Sequence, residues 1–276
     1  MRISFMTIFT TKEKIMTPEV ALQKREQMIE EGFCVVDDVL SEEFLQELHD
    51  ESERLIAGHV EPDDVVYQGQ HVNVRGEDNP YIQKLLEWQP SRDALEQIGF
   101  GDFVTSGGII ILTKESGGPP LYWHQDWMRW NDPLSCAPWP QTIFLNYYLT
   151  DTNRENGCLK VIPGTHRKRI DLHDILVPAH EQGARFIDED HPIMFSDHPD
   201  QVDVCAKAGS LVIADARILH SAHKNLTDIR RTLILAWHSR PNTVPDYWDR
   251  EIPEIIANRD EDANYPMSRI PTHFLQ

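Results

Sequence analysis

A mainly β protein with flanking helices, its core a jelly roll, is the fold class that this 276-residue chain predicts. Three observations carry that reading. The chain opens on capped helical patterns. From about residue 101 these give way to short strand-like runs bounded by Gly, Pro, Asn or Asp. Two of the strand-like segments bear His124, Asp126 and His220, spaced as metal ligands are.

Residues 1–16 hold a short apolar run with Arg2. The run lacks the length of a signal h-region and any small-residue cleavage site, so an extension outside the fold is expected there. Thr17 as N-cap and Pro18 at the first helical position open a helix that runs to Glu31 and stops at Gly32. Phe33 to Val39 follows as a strand rich in β-branched residues. Ser41-Glu-Glu-Phe44 caps a second helix, whose apolar stripe is Phe44, Leu45, Leu48, Leu55 and Ile56. Tyr81 to Trp88 and Arg92 to Ile98 read as two short helices that complete a helical wrapping over 17–100. The jelly-roll core spans 101–240, with strands at Gly107–Leu112, Thr142–Leu149, Leu159–Ile162, Ser210–Ala214 and Thr232–Trp237. A polar, histidine-bearing insertion at about 167–207 interrupts the series, and a lid over the metal is its expected use. The tail, 241–276, is acidic and irregular, so a single catalytic domain over 17–276 is expected.

Lys and Arg total 26 against 45 Asp and Glu, a formal charge of −19 whose field repels polyanions and argues against nucleic acid as a partner. No stretch approaches a membrane span. The four cysteines, Cys34, Cys136, Cys158 and Cys205, include no C-x-x-C pair, which argues against a zinc site or a disulfide framework and fits a reducing compartment. A cytoplasmic protein, monomer or homodimer, is the expectation.

The metal reading starts from Leu121-Tyr-Trp-His-Gln-Asp-Trp127. Along an extended strand His124 and Asp126 share a face, ~6.6 Å apart, with Gln125 opposite. His220 from a neighbouring strand supplies the third ligand, with His223 as its rival. Two imidazoles and a carboxylate on one face suit non-haem Fe(II), which must also hold a cosubstrate and dioxygen. Trp123, Trp127, Trp130 and Trp139 crowd around this segment. Trp123 reads as core, whereas Trp130 and Trp127 are candidate substrate contacts. In so acidic a chain they suggest a small-molecule substrate of cationic or aromatic character. His173, His180, Arg185, His191 and His198 in the insertion are within range of a substrate, but solvated loop polarity is the simpler account of them.

Together, His124-x-Asp126, His220, Arg231 eleven residues later, and Glu155-Asn-Gly-Cys-Leu-Lys-Val-Ile-Pro-Gly-Thr-His166 resemble the phytanoyl-CoA dioxygenase family of Fe(II)/2-oxoglutarate oxygenases. Glu30-Glu-Gly-Phe-Cys-Val-Val36 before a helix extends the resemblance to roughly residues 17–240. The resemblance implies a double-stranded β-helix, cupin-like, in which His124, Asp126 and His220 hold the iron. It implies that 2-oxoglutarate chelates the metal while Arg231 receives its distal carboxylate in two charge-assisted hydrogen bonds. Arg230 is the rival, and strand alternation lets only one of the two point inward. Ile110 and Asn146 align with positions that contact 2-oxoglutarate in the family, although an aromatic often stands where this chain has Asn146. The implied reaction consumes O2, decarboxylates 2-oxoglutarate to succinate and CO2, and hydroxylates a small organic molecule. The same chemistry also serves desaturation, cyclisation or demethylation. Asp126 disfavours halogenation, since related halogenases carry Ala or Gly there. A coenzyme A thioester would need a basic patch, for which Arg167-Lys-Arg169 is the only compact candidate. The alternatives are a cupin-like metalloenzyme that does not use 2-oxoglutarate and a non-catalytic binding protein on the same scaffold. The first leaves Arg231 without a task, and the second leaves an intact ligand set without one.

Overall fold

The structure, a computed structural model, describes residues 15–60, 69–127, 132–137, 139–176, 193–240, 254–260 and 263. Trp130, His180, Arg185 and His191 lie outside these residues, as does most of the tail. Helix α1 (Pro18–Glu30) begins where Thr17 Oγ1 accepts a hydrogen bond from Val20 N, and it ends at Gly32, whose φ of +88° suits a residue without a side chain. Strand β1 (Phe33–Val36) and helix α2 (Glu42–Ala57) follow, with Ser41 Oγ capping α2 at Phe44 N. Then come β2 (His71–Val74), α3 (Pro80–Leu86) and α4 (Gln89–Ile98). The remaining strands are β3 (Val104–Lys114), β4 (Leu121–His124), β5 (Thr142–Tyr148), β6 (Leu159–Val161), β7 (Val202–Val204), β8 (Leu211–Asp215), β9 (His220–Ala222) and β10 (Arg231–Ser239). A short helix, α5 (Glu254–Ala257), comes last.

The strands form two antiparallel sheets among the described residues: a large one ordered β1-β8-β5-β10-β3-β2 and a small one ordered β4-β9-β6-β7. Strand alternation divides the large sheet between two cores. Ile143, Leu145 and Tyr147 of β5 face the helices with Phe44, Leu48, Ile98, Phe100 and Ile234. Phe144 and Tyr148 face inward, packing with Leu112, Leu233, Leu159, Val161 and Val204 between the sheets. Burial of both faces explains why β5 reads as a continuous apolar run. A smaller cluster gathers Trp123, Leu172, Leu176, Met194 and Leu219. The jelly roll wrapped by helices is the fold expected.

Several boundaries differ from expectation. Met16, expected to lie outside the fold, is buried in the helix-side core, and its carbonyl accepts a hydrogen bond from Gln97. The insertion is shorter than 167–207, because Val202–Val204 pairs with β6 as an edge strand. The strand before Asp126 stops at His124 after a register shift, so the ligand pair is not carried by simple alternation. The chain bends at Asp126, and the buried side chain of the preceding Gln125 donates to the carbonyl of Arg217. Trp127 N then bonds Ala216 O at 2.9 Å, which anchors the turn on the connection into β9.

Candidate metal centre

Strands β4 and β9 set His124 directly opposite His220 in the small sheet. Asp126, just past the end of β4, brings its carboxylate to both: Oδ1 lies 3.6 Å from His124 Nε2 and 3.7 Å from His220 Nε2. The three ligand atoms all lie within 4.8 Å of one another, which is the convergence a single cation requires. The other atom of each group is already engaged. His124 Nδ1 meets Tyr122 O at 2.9 Å and His220 Nδ1 meets Ile218 O at 3.0 Å, so a proton on Nδ1 leaves each Nε2 with its lone pair toward Asp126. Asp126 Oδ2 accepts a hydrogen bond of 2.9 Å from the Trp237 indole, which leaves Oδ1 for a metal. The donor set therefore fits an Fe(II) ion held on one face.

Trp237 escaped the sequence reading. Its signal is positional: it stands on β10 opposite Phe144 of β5, whose ring centre is 4.8 Å from that of His220. His223, the rival ligand, lies away from the triad and bonds Asp203 at 2.7 Å. His173 is buried and bonds its own turn at Ile170, and His198 likewise accepts from Asp200 N.

Arg231 opens β10 on the inner face and is only 2% exposed. Its Nη1 donates to Gly157 O at 3.0 Å, its Nε is buried without a partner, and no carboxylate of the described residues pairs with it. Burial pushes its pKa down while the neighbouring Tyr148 and Cys158 pull the other way. A buried guanidinium in this condition has donors to offer an anion. Arg230 points outward and pairs with Glu53 of α2. Cross-strand register places Ile110 beside Leu235 and Leu235 beside Asn146, one row on the same inner face. Two more buried polar atoms lack partners there, Asn146 Oδ1 and Tyr148 Oη, and burial pushes the Tyr148 phenol up to about 12. Tyr148 was also missed, although it stands two residues from Asn146 and so shares its face. Trp127 packs beside the Trp123 cluster and donates from its indole to Ser135 Oγ at 2.7 Å. Of the basic run, Arg167 is tied to Glu30 and Ile29 O and is not free to receive a phosphate.

A helix-wrapped double-stranded β-helix with a His-Asp-His cluster and a buried arginine in its interior defines the class, a non-haem iron, 2-oxoglutarate-dependent dioxygenase that uses O2. The chain belongs to the phytanoyl-CoA dioxygenase (PhyH) family, whose sequence model matches residues 28–233. It is 24% identical over 248 residues to the ectoine dioxygenase of Nocardia farcinica, covering 83% of this chain and 82% of that one. It is 22% identical to a probable alpha-ketoglutarate-dependent hypophosphite dioxygenase of Stutzerimonas stutzeri, covering 81% and 80%. Among solved structures, the alpha-ketoglutarate-dependent epimerase SnoN from nogalamycin biosynthesis superposes with a TM-score of 0.62 at 19% identity, over 81% of this chain and 84% of that one. EctD from S. alaskensis, solved with 2-oxoglutarate and 5-hydroxyectoine, gives a TM-score of 0.60 at 19% identity, over 95% and 89%. No helix among the described residues is long and apolar enough to cross a membrane.

Proposed function

We propose that His124, Asp126 and His220 hold the iron, that Arg231 receives the distal carboxylate of 2-oxoglutarate, and that the enzyme hydroxylates a small organic molecule while 2-oxoglutarate becomes succinate and CO2. The observation that carries the reading is the pairing of two features inside one barrel. Three donors converge with their opposite faces already bonded, and a buried arginine offers hydrogen bonds that no carboxylate of the described residues accepts. Iron bound there supplies O2 activation coupled to decarboxylation of the cosubstrate. The protein's part is placement. Trp237 fixes the Asp126 carboxylate, and Arg231 orients the cosubstrate with Asn146, Tyr148 and Ile110 along its buried wall.

An organic substrate of cationic or aromatic character is supported by the aromatic surround and by the acidic chain. Tyr122 lies 5.2 Å from His124 and 6.3 Å from Phe195 between ring centres, and Trp127 edges the same side. Trp127 and Trp130 remain the proposed substrate contacts. Relatives named for ectoine favour a compact polar substrate over a coenzyme A thioester, which Arg167 is not placed to welcome. The test is a screen of small cationic and aromatic compounds for substrate-dependent succinate release, with product mass read in parallel. A gain of one oxygen atom supports hydroxylation, and a loss of two hydrogen atoms assigns desaturation instead.

A further inference from the structure

We propose that Cys158, Asp203 and His223 form a second metal site, suited to Zn2+, on the face of the small sheet opposite the iron candidate. Their ligand atoms all lie within 4.8 Å of one another, and they come from three neighbouring strands. Asp203 is the middle residue of β7, Cys158 immediately precedes β6, and His223 immediately follows β9. Register fixes the face. His220 pairs with Val161, which points into the inter-sheet core with Leu159 and Val204. Asp203 pairs with Lys160, and alternation turns Cys158, Lys160, Asp203 and His223 the other way. The iron candidate and this cluster therefore occupy opposite sides of one sheet.

The backbone around the cluster is held firmly. His223 N donates to Cys158 O at 3.0 Å, and its carbonyl accepts from the buried Lys114 Nζ at 2.6 Å. Gly157 has a φ of +88°, and a Cβ there would sit 2.4 Å from Lys114 Cδ, so the chain entering Cys158 has one way to run. Asp203 repeats the division of labour seen at Asp126. Arg154 holds Oδ2 at 3.0 Å, while Oδ1 faces His223 Nε2 at 2.7 Å, with Gln201 also reaching it at 3.2 Å. A cation would take the place of the proton that His223 and Asp203 share, and ligation would release the Cys158 proton to solvent. The thiol is fully buried, and burial pushes its pKa up, an effect that metal coordination reverses. Thiolate, imidazole and carboxylate together select Zn2+ over the hard cations. Asp203 and His223 remain partly open at the sheet edge, which gives a way in and leaves a fourth position for solvent.

Co2+ is the probe, because thiolate ligation gives an intense near-ultraviolet charge-transfer band that the imidazole and carboxylate ligands of the iron site do not. In the full chain with its thiols reduced, the band should saturate at a single equivalent, persist in Asp126→Ala, disappear in Cys158→Ser and be displaced by Zn2+. His223→Gln should weaken Co2+ binding by roughly tenfold or more, and this variant decides the matter should Cys158→Ser fail to fold. No band in the wild type, a band that Cys158→Ser leaves intact, or unchanged affinity in His223→Gln overturns the proposal.

Discussion

Arg231 and its neighbour Arg230 show how one position along a strand decides a residue's work. Arg231 is buried with an unsatisfied Nε, whereas Arg230 pairs with Glu53 at the surface of α2. Arg231→Ala is expected to cost about 2–5 kcal/mol of 2-oxoglutarate binding, on the order of a hundredfold or more in Kd, while Arg230→Ala leaves that Kd within about twofold. A titration of each variant with 2-oxoglutarate in the presence of Fe(II) checks both, and the reverse ranking would show the register to be wrong. Trp237 offers a second test at this scale. Trp237→Phe keeps the ring but removes the hydrogen bond to Asp126 Oδ2, and Fe(II) affinity should fall by about 10- to 100-fold with the fold intact by circular dichroism. An unchanged Fe(II) Kd would reduce Trp237 to a packing residue. The candidate triad and Arg231 were legible in the sequence because their chemistry is unusual and each half is compact, His124 lying two residues from Asp126 and His220 eleven from Arg231. Trp237 and Tyr148 were not, because each acquires its role from a strand far away in sequence, and a lone aromatic in a strand is ordinarily core.

At the scale of elements, the site depends on the turn after β4 being held against the chain between β8 and β9. Asp215 and Arg217 do this in a buried bidentate pair, with Nε to Oδ1 at 2.9 Å and Nη2 to Oδ2 at 2.5 Å. The spare Nη1 reaches Ser135 O at 2.9 Å and Ala137 O at 2.5 Å, pinning the segment that receives the Trp127 indole. Arg217→Met strips a buried carboxylate of its partner and frees two carbonyls, and a loss of about 3–5 kcal/mol is expected from denaturant unfolding. The restraint is invisible in Asp-Ala-Arg as a sequence, where a surface pair is the ordinary reading. The long apolar strands β3, β5, β8 and β10 were legible, because runs buried on both faces stand out. His71–Val74 and Val202–Val204 were not, since short edge strands with polar residues lack the alternation that marks a half-buried strand. Asp126 was singled out by a rule that does not apply to it: β4 ends at His124, and the bend at Asp126 itself brings the carboxylate back.

For the whole molecule, two of the buried histidines outside the candidate sites, His166 and His238, set an acid limit on stability. Burial pushes His166 and His238 down to about 4, from an ordinary value of 6.5. His166 sits against Gly32 and donates to Ile29 O at 3.0 Å, joining the β6 side of the barrel to the end of α1. The unfolded chain takes up these protons first as pH falls, so the stabilisation is complete above about pH 6.5 and is lost progressively towards pH 4. Unfolding free energy measured by denaturant should decline across that window by on the order of a few kcal/mol, and a flat profile would contradict the burial of both rings. The formal charge of −19 works on the same scale, disfavouring polyanionic substrates before any contact is made.

The central claim is that one barrel interior holds both the metal triad and the cosubstrate arginine. Anaerobic titration of the protein with Fe(II) and 2-oxoglutarate tests it most directly, through the weak visible charge-transfer band of the chelate. The band should form in the wild type, be lost in His220→Ala, and in Arg231→Ala require on the order of a hundredfold more 2-oxoglutarate. A wild-type protein that binds Fe(II) yet develops no band, or an Arg231→Ala variant that titrates as the wild type does, would contradict it.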